Sequence, residues 1–151
     1  MFKFLKFVFF LPPLILVIIL TIQMIFYFLF PNSISLVNII FSALFFISFV
    51  LLSFLAALHF FKNHTQIAPF TLNAKIIFSN GVFKLSRNPM YLSLVLFLIS
   101  FGSIFCPLAL IITIPILILS LLPEIHREEK FMLNRFGSEY QNYCNKVGRW
   151  L

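Results

Sequence analysis

The chain has 151 residues, of which 62% are hydrophobic and only 10% charged, with 23 Phe and a mean hydropathy of +1.07. A soluble domain of this size runs about half apolar and about a quarter charged and has too little interior to hide such a composition, which excludes a water-soluble enzyme. Eleven Lys and Arg against four Asp and Glu give a net charge of +7, but no basic stripe is present, so anionic headgroups suit it better than nucleic acid.

Charge gaps predict an all-α integral membrane protein. No Lys, Arg, Asp or Glu occurs from Phe7 to Phe61 or from Asn88 to Pro123. A span needs roughly 20 apolar residues, so the first gap fits two spans and the second two short ones. Span one runs from about Phe7 to Phe30. It continues past Pro12-Pro13 without a small-residue cleavage site, so it reads as a retained span rather than a signal peptide. Pro31-Asn32 turns the chain into span two, about Ser35 to Phe61, which finishes at His59, Lys62, Asn63 and His64. Residues 65–87 read as an irregular, membrane-hugging loop broken by Pro69 and Asn80-Gly81. The chain thus divides into a two-span hairpin, 1–62, and a second part, 63–151, of loop, short hairpin and C-terminal helices.

Span three begins at Asn88-Pro89, a favoured N-cap followed by a proline suited to the first turn. Spans three and four share one short gap around a turn at about Gly102 to Pro107, so each reaches only about 24 to 27 Å. The remainder, Glu124 to Leu151, holds all four acidic residues. There Leu133, Phe136, Tyr140, Tyr143, Val147 and Trp150 recur at helical spacing, interrupted by Gly137. Ser138 and Gln141 fit a capping box, giving an extension of span four to Phe136 and then a short amphipathic helix. All eleven basic residues fall before span one, between spans two and three, or after span four, which predicts cytoplasmic termini and middle loop in a cell inner membrane. Cys106 and Cys144 then lie on opposite sides and cannot pair, and neither they nor the three His have metal-ligand spacing.

Two polar clusters stand at the cytoplasmic ends of the short hairpin. Ser86 to Tyr91 supplies Arg87 and a helix N-terminus; Glu124 to Lys130 supplies carboxylates. If the hairpin is antiparallel they meet, and together they suit a zwitterion: Arg87 and the helix N–H groups receive a carboxylate, while Glu128 or Glu129 holds an amine or ribose hydroxyls. In the alternative, Arg87 snorkels to headgroups, Tyr91 sits in an interfacial belt and the Glu pair is a solvated face.

These residues resemble a family. Arg87-Asn88-Pro89-Met90-Tyr91 is similar to the Arg-(His or Asn)-Pro-x-Tyr motif of the isoprenylcysteine carboxyl methyltransferase and phospholipid methyltransferase superfamily. Glu128-Glu129, Phe136-Gly137, Tyr140, Tyr143, Val147 and Arg149 resemble its second signature, and Asn80-Gly81-Val82-Phe83 its lead-in, so that the likeness covers about Asn63 to Leu151. It implies a membrane methyltransferase that takes S-adenosylmethionine from the cytosol and a lipophilic methyl acceptor from the bilayer. By position it assigns Arg87, Pro89 and Tyr91 to the cofactor and reaction site with Asn88 between them. Gly81 lets the preceding loop approach the cofactor, His64 corresponds to a polar loop residue near it, and Glu128 and Glu129 hold it. Ser93 stands where many relatives have glycine. The residues agree with this chemistry, because in-line methyl transfer needs alignment and exclusion of water rather than a nucleophile triad or metal.

The acceptor is left open between a prenyl-thioether-linked carboxylate, a phospholipid amine and another lipophilic molecule. A rival from another class is a small non-enzymatic membrane scaffold or subunit, which predicts tolerance of Arg87 or Glu128 replacement. A transporter fits less well, since His59 is the single ionisable residue within the charge-free spans.

Overall fold

The computed structural model describes residues 2–31, 33–62 and 80–151, with side chains from residue 14 onward. His64, Asn32 and the expected loop up to residue 79 lie outside the described residues. Among the described residues five α-helices follow one another: α1 Phe2–Leu29, α2 Leu36–Lys62, α3 Pro89–Phe105, α4 Leu110–Phe136 and α5 Ser138–Cys144. Single 3-10 turns occupy Gly81–Lys84 and Pro107–Ala109, and no strand occurs among the described residues. The segments Leu36–Lys62 and Pro107–Phe136 are long and apolar enough to cross a membrane; Leu14–Leu29 and Pro89–Phe105 are apolar but shorter. In α2 only 11% of the apolar window is buried, and Leu36, Val37, Ile47 and Phe54 stand more than half exposed. Burying such surface is favourable by roughly 25 cal/mol per Å², so these side chains call for an apolar surround.

Local chemistry sets the helix boundaries. Ser35 caps α2, its Oγ accepting the Asn38 N–H at 3.3 Å. The turn between α3 and α4 is tighter than the sequence suggests: Gly102 lies inside α3, and the chain reverses at extended Cys106 followed by Pro107. The break before α5 falls at Gly137, but the capping box does not form. Gly137 itself is the N-cap, at φ +53° with no side-chain cap bond, and Ser138 is the first helical residue. A left-handed φ is open to glycine at little cost, so backbone freedom replaces the expected hydroxyl. The helical face also ends early, at Cys144, and Val147 to Trp150 run on without helix.

The chain forms two compact units: Met1–Ser48 with Leu94–Leu122, and Phe49–Ser93 with Pro123–Leu151. In the first, buried polar pairs join helices. Gln23 Nε2 donates to Thr113 Oγ1 at 3.3 Å, and Ser100 Oγ donates to the Ser42 carbonyl at 2.9 Å. Gly102 is needed there, because a Cβ would stand 2.7 Å from Gln23 Nε2 and collide with Leu110. An apolar groove of about 360 Å³ lies between α2 and α3, lined by Ile39, Ala43, Phe46, Phe97 and Phe101 among others.

The core of the second unit is Ala56, Val82 and Phe83, covered by Leu52, Phe60 and Met90. Phe60 meets Phe83 edge-on, with centroids 5.9 Å apart, and Tyr143 fastens α5 to the same residue by donating its hydroxyl to the Phe83 carbonyl at 2.7 Å. The 3-10 turn carrying Phe83 thereby brings the start of α3 against α5.

Candidate functional site

In the second unit Glu128, Glu129 and Arg149 lie around Arg87. Asn88 takes the N-cap position expected of it, its carbonyl accepting the Leu92 N–H at 3.0 Å, and Pro89 is fully buried at the first turn. Its side chain does not cap α3; Nδ2 donates to the Arg149 carbonyl at 3.1 Å. Ser86 holds this corner by accepting the Asn88 N–H at 3.1 Å and donating to the Arg149 carbonyl at 3.2 Å. Arg87 is therefore presented from a loop fastened on both sides.

Its guanidinium, 15% exposed, pairs with Glu129: Nη1 lies 3.1 Å from Oε1. Nη1 also donates to Cys144 Sγ at 2.8 Å, while Nε is buried with no hydrogen-bond partner among the described residues. Glu129 is bound from the other side by Arg149, whose Nη2 reaches Oε2 at 2.6 Å and whose Nε reaches Oε1 at 3.0 Å. One carboxylate thus serves two guanidiniums, leaving an excess of positive charge.

Glu128 stands apart from that network. Its Oε1 accepts the Tyr91 hydroxyl at 2.9 Å. It lies beyond Pro123, past the apolar run of α4, and burial pushes its carboxyl up to about 7 despite the Tyr91 hydrogen bond, with Glu124 and Glu129 adding repulsion. Arg127 is held by Glu124 in a separate ion pair. Burial likewise pushes Tyr143 up to about 12, so it stays a neutral donor to Phe83 at physiological pH.

Between these groups is a cleft of about 90 Å³ lined by Phe83, Arg87, Asn88, Glu128, Glu129, Met132, Tyr140 and Tyr143. Its lining combines the charged groups of Arg87 and Glu129 and the Glu128 carboxyl with the aromatic side chains of Phe83, Tyr140 and Tyr143. Such an arrangement receives an anionic group beside a cationic or hydroxylic one.

Of the residues expected from sequence, Arg87, Asn88, Glu128 and Glu129 line this cleft, and Tyr91 reaches it through Glu128. Glu129 lines the cleft with Arg87 and Arg149 already bonded to its oxygens. Gly81 opens the 3-10 turn. At φ +62° it faces the His59 imidazole, whose Cε1 would lie 3.0 Å from an added Cβ, so its lack of a side chain serves packing of the 3-10 turn on α2. Ser93 turns its hydroxyl back to the Met90 carbonyl at 2.7 Å. His64 lies outside the described residues. Arg149, Tyr140, Tyr143 and Cys144 join the site without having been singled out for it; the Val147-x-Arg149 ending was the available signal for Arg149. Among the described residues no group of three or more His, Cys, Asp or Glu is placed to hold a metal. No protein-family model, curated protein sequence or solved structure matches this chain.

Proposed function

We propose that this chain is an S-adenosylmethionine-dependent membrane methyltransferase, acting at the cytoplasmic face on a lipophilic acceptor in the manner of isoprenylcysteine carboxyl methyltransferases. The observation that carries the reading is the meeting of Arg87 with the Glu128-Glu129 pair at one cleft, since both sequence signatures supply it. The donor set suits the cofactor's amino-acid end. The partnerless buried Nε of Arg87 and the cationic excess suit a carboxylate, and Glu128 suits an ammonium. Ligand pockets commonly span about 300 to 1,000 Å³, so a cleft of about 90 Å³ seats one end of such a molecule.

When bound, S-adenosylmethionine supplies a methyl group activated by its sulfonium. Arg87, held by Glu129 and by the Ser86 and Asn88 bonds, orients the ligand. Phe83, Tyr140 and Tyr143 exclude water, and aromatic faces favour a nearby cation. A carboxylate acceptor arrives ionised and requires no base. An amine acceptor must lose a proton; in that second reading, a phospholipid amine, Glu128 Oε1, near neutrality and bonded to Tyr91, takes it in place of holding the cofactor's ammonium. The test is whether label from methyl-labelled S-adenosylmethionine enters the organic phase when the protein is given membrane lipid or prenyl-thioether extracts.

The membrane arrangement belongs to the same proposal: four spans, the last two a short hairpin, with both termini and the amphipathic C-terminal helix in the cytoplasm of a cell whose plasma membrane holds the protein. It is supported by the distribution of the eleven basic residues and by the apolar character of α1 to α4. In a variant lacking both native cysteines, Ser33→Cys or Ile104→Cys is expected to react with an impermeant maleimide on intact cells, and Lys75→Cys or Asn145→Cys only after permeabilisation. Labelling of Asn145→Cys from outside contradicts the even span count.

A further inference from the structure

Arg149 lies beyond α5 in a stretch without helix, yet two of its groups act on the site at once. Its guanidinium grips both oxygens of Glu129, at 2.6 and 3.0 Å. Its carbonyl accepts from Ser86 Oγ and Asn88 Nδ2, the two side chains that flank Arg87, at 3.2 and 3.1 Å. The preceding Gly148 carbonyl accepts the Arg87 N–H at 3.0 Å. The chain turns back so tightly there that a Cβ on Gly148 would meet the Leu151 backbone at 2.7 Å. A short strap therefore fastens both the loop that presents Arg87 and the carboxylate that pairs with it.

The charge balance gives the strap a further consequence. Arg87 and Glu129 alone form a neutral pair with little attraction for another anion. Arg149 supplies a second guanidinium in fork geometry on the same carboxylate, so that Arg87 and Arg149 share the single charge of Glu129 and their pairings together carry one positive charge more than Glu129 balances. The Glu129 bond in turn holds the Arg149 guanidinium firmly in its charged form. Arg87 Nε is buried with no hydrogen-bond partner among the described residues.

We propose that Arg149 is a positioning and specificity-determining residue: through Glu129 it frees Arg87 to select a ligand that bears a carboxylate. This rests on the reading above for the ligand's identity. Arg149 acts through Arg87 and need not touch the ligand.

The experiment compares two probes by calorimetry on the full chain in nanodiscs: S-adenosylmethionine, and its decarboxylated form, which keeps the sulfonium, ammonium and adenosine. The wild type is expected to prefer the carboxylate-bearing probe by about 10-fold or more, the scale of one charge-assisted contact. Arg149→Ala and the closer isostere Arg149→Gln lose that preference, chiefly by weakening S-adenosylmethionine. Arg149→Lys, which keeps the charge without the fork, retains part of it and covers the case in which the neutral variants do not fold. Equal weakening of both probes in every folded variant makes the strap a structural staple and overturns the proposal, as does a preference unchanged in Arg149→Ala. If the wild type binds neither probe, the methyltransferase reading fails and this proposal with it; binding by the wild type with no effect of Arg149 overturns this proposal alone.

Discussion

Arg87→Ala is expected to weaken S-adenosylmethionine binding by about 10- to 150-fold, the equivalent of about 1.5 to 3 kcal/mol for a charge-assisted contact. The wild-type side chain bonds Glu129 and Cys144, and its Nε is buried with no hydrogen-bond partner among the described residues. Its loss leaves Glu129 balanced by Arg149, so the cleft loses its cationic excess without acquiring an unpaired buried charge, and the variant is expected to insert and fold. Arg87→Lys is not expected to restore binding, because one ammonium cannot serve two partners from a planar fork and still present a further donor. Calorimetry in nanodiscs is the check. Wild-type affinity in Arg87→Ala would return Arg87 to the role of a headgroup anchor.

The second large effect is a pH dependence seated on Glu128. Burial raises its pKa to about 7 in the folded protein, above the ordinary carboxylate range. A ligand cation beside it favours the ionised form, so binding below pH 7 must release a proton, and affinity rises with pH until the group is ionised. Between pH 5.5 and pH 8 the expected gain approaches about 30-fold, linkage limiting the slope to one proton. Glu128→Gln removes the group and is expected to bind weakly with a flatter profile. The sign for stability is opposite. A folded-state pKa above the unfolded one stabilises fully below the unfolded value, and that contribution is lost as pH rises through about 7. The ligand-free protein therefore loses this contribution over the range in which binding improves. Calorimetry across pH on both proteins decides the matter; parallel profiles would remove Glu128 from ligand recognition.

The parts of the fold that were legible in the sequence are those written locally. Long charge-free runs mark apolar helices because a buried or lipid-exposed charge is costly, and Asn88-Pro89 marks a helix start because proline suits the first turn. Gly137 marks the break after α4, but not through the capping box that Ser138 and Gln141 suggest. Ser138 carries the right side chain for a cap one position too late, and the left-handed backbone of Gly137 opens α5 without any hydroxyl.

The site was legible to the extent that its residues sit at helix ends. Arg87, Glu128 and Glu129 could be placed together from the hairpin alone. The partners of Glu129 could not, since Arg149 reaches it from a non-helical stretch 20 residues along the chain by a bond with no periodic trace. Gly81 shows the same limit: Asn80-Gly81 was readable as a turn, but the His59 ring beside it is set by the packing of the 3-10 turn on α2. The bonds to the Arg149 and Gly148 carbonyls were equally hidden, because a backbone acceptor has no sequence signature.

The measurement that bears most directly on the central claim is transfer of a radiolabelled methyl group from S-adenosylmethionine by the full chain in nanodiscs, read by partition between organic and aqueous phases. The account predicts label in the organic phase with membrane-lipid or prenyl-thioether extracts, loss of that label in Arg87→Ala, and none on soluble amines or acids. Base-labile label identifies a methyl ester, and base-stable label a methylated amine. Label on a soluble metabolite with none on any lipid fraction, or no transfer to any acceptor, would contradict it.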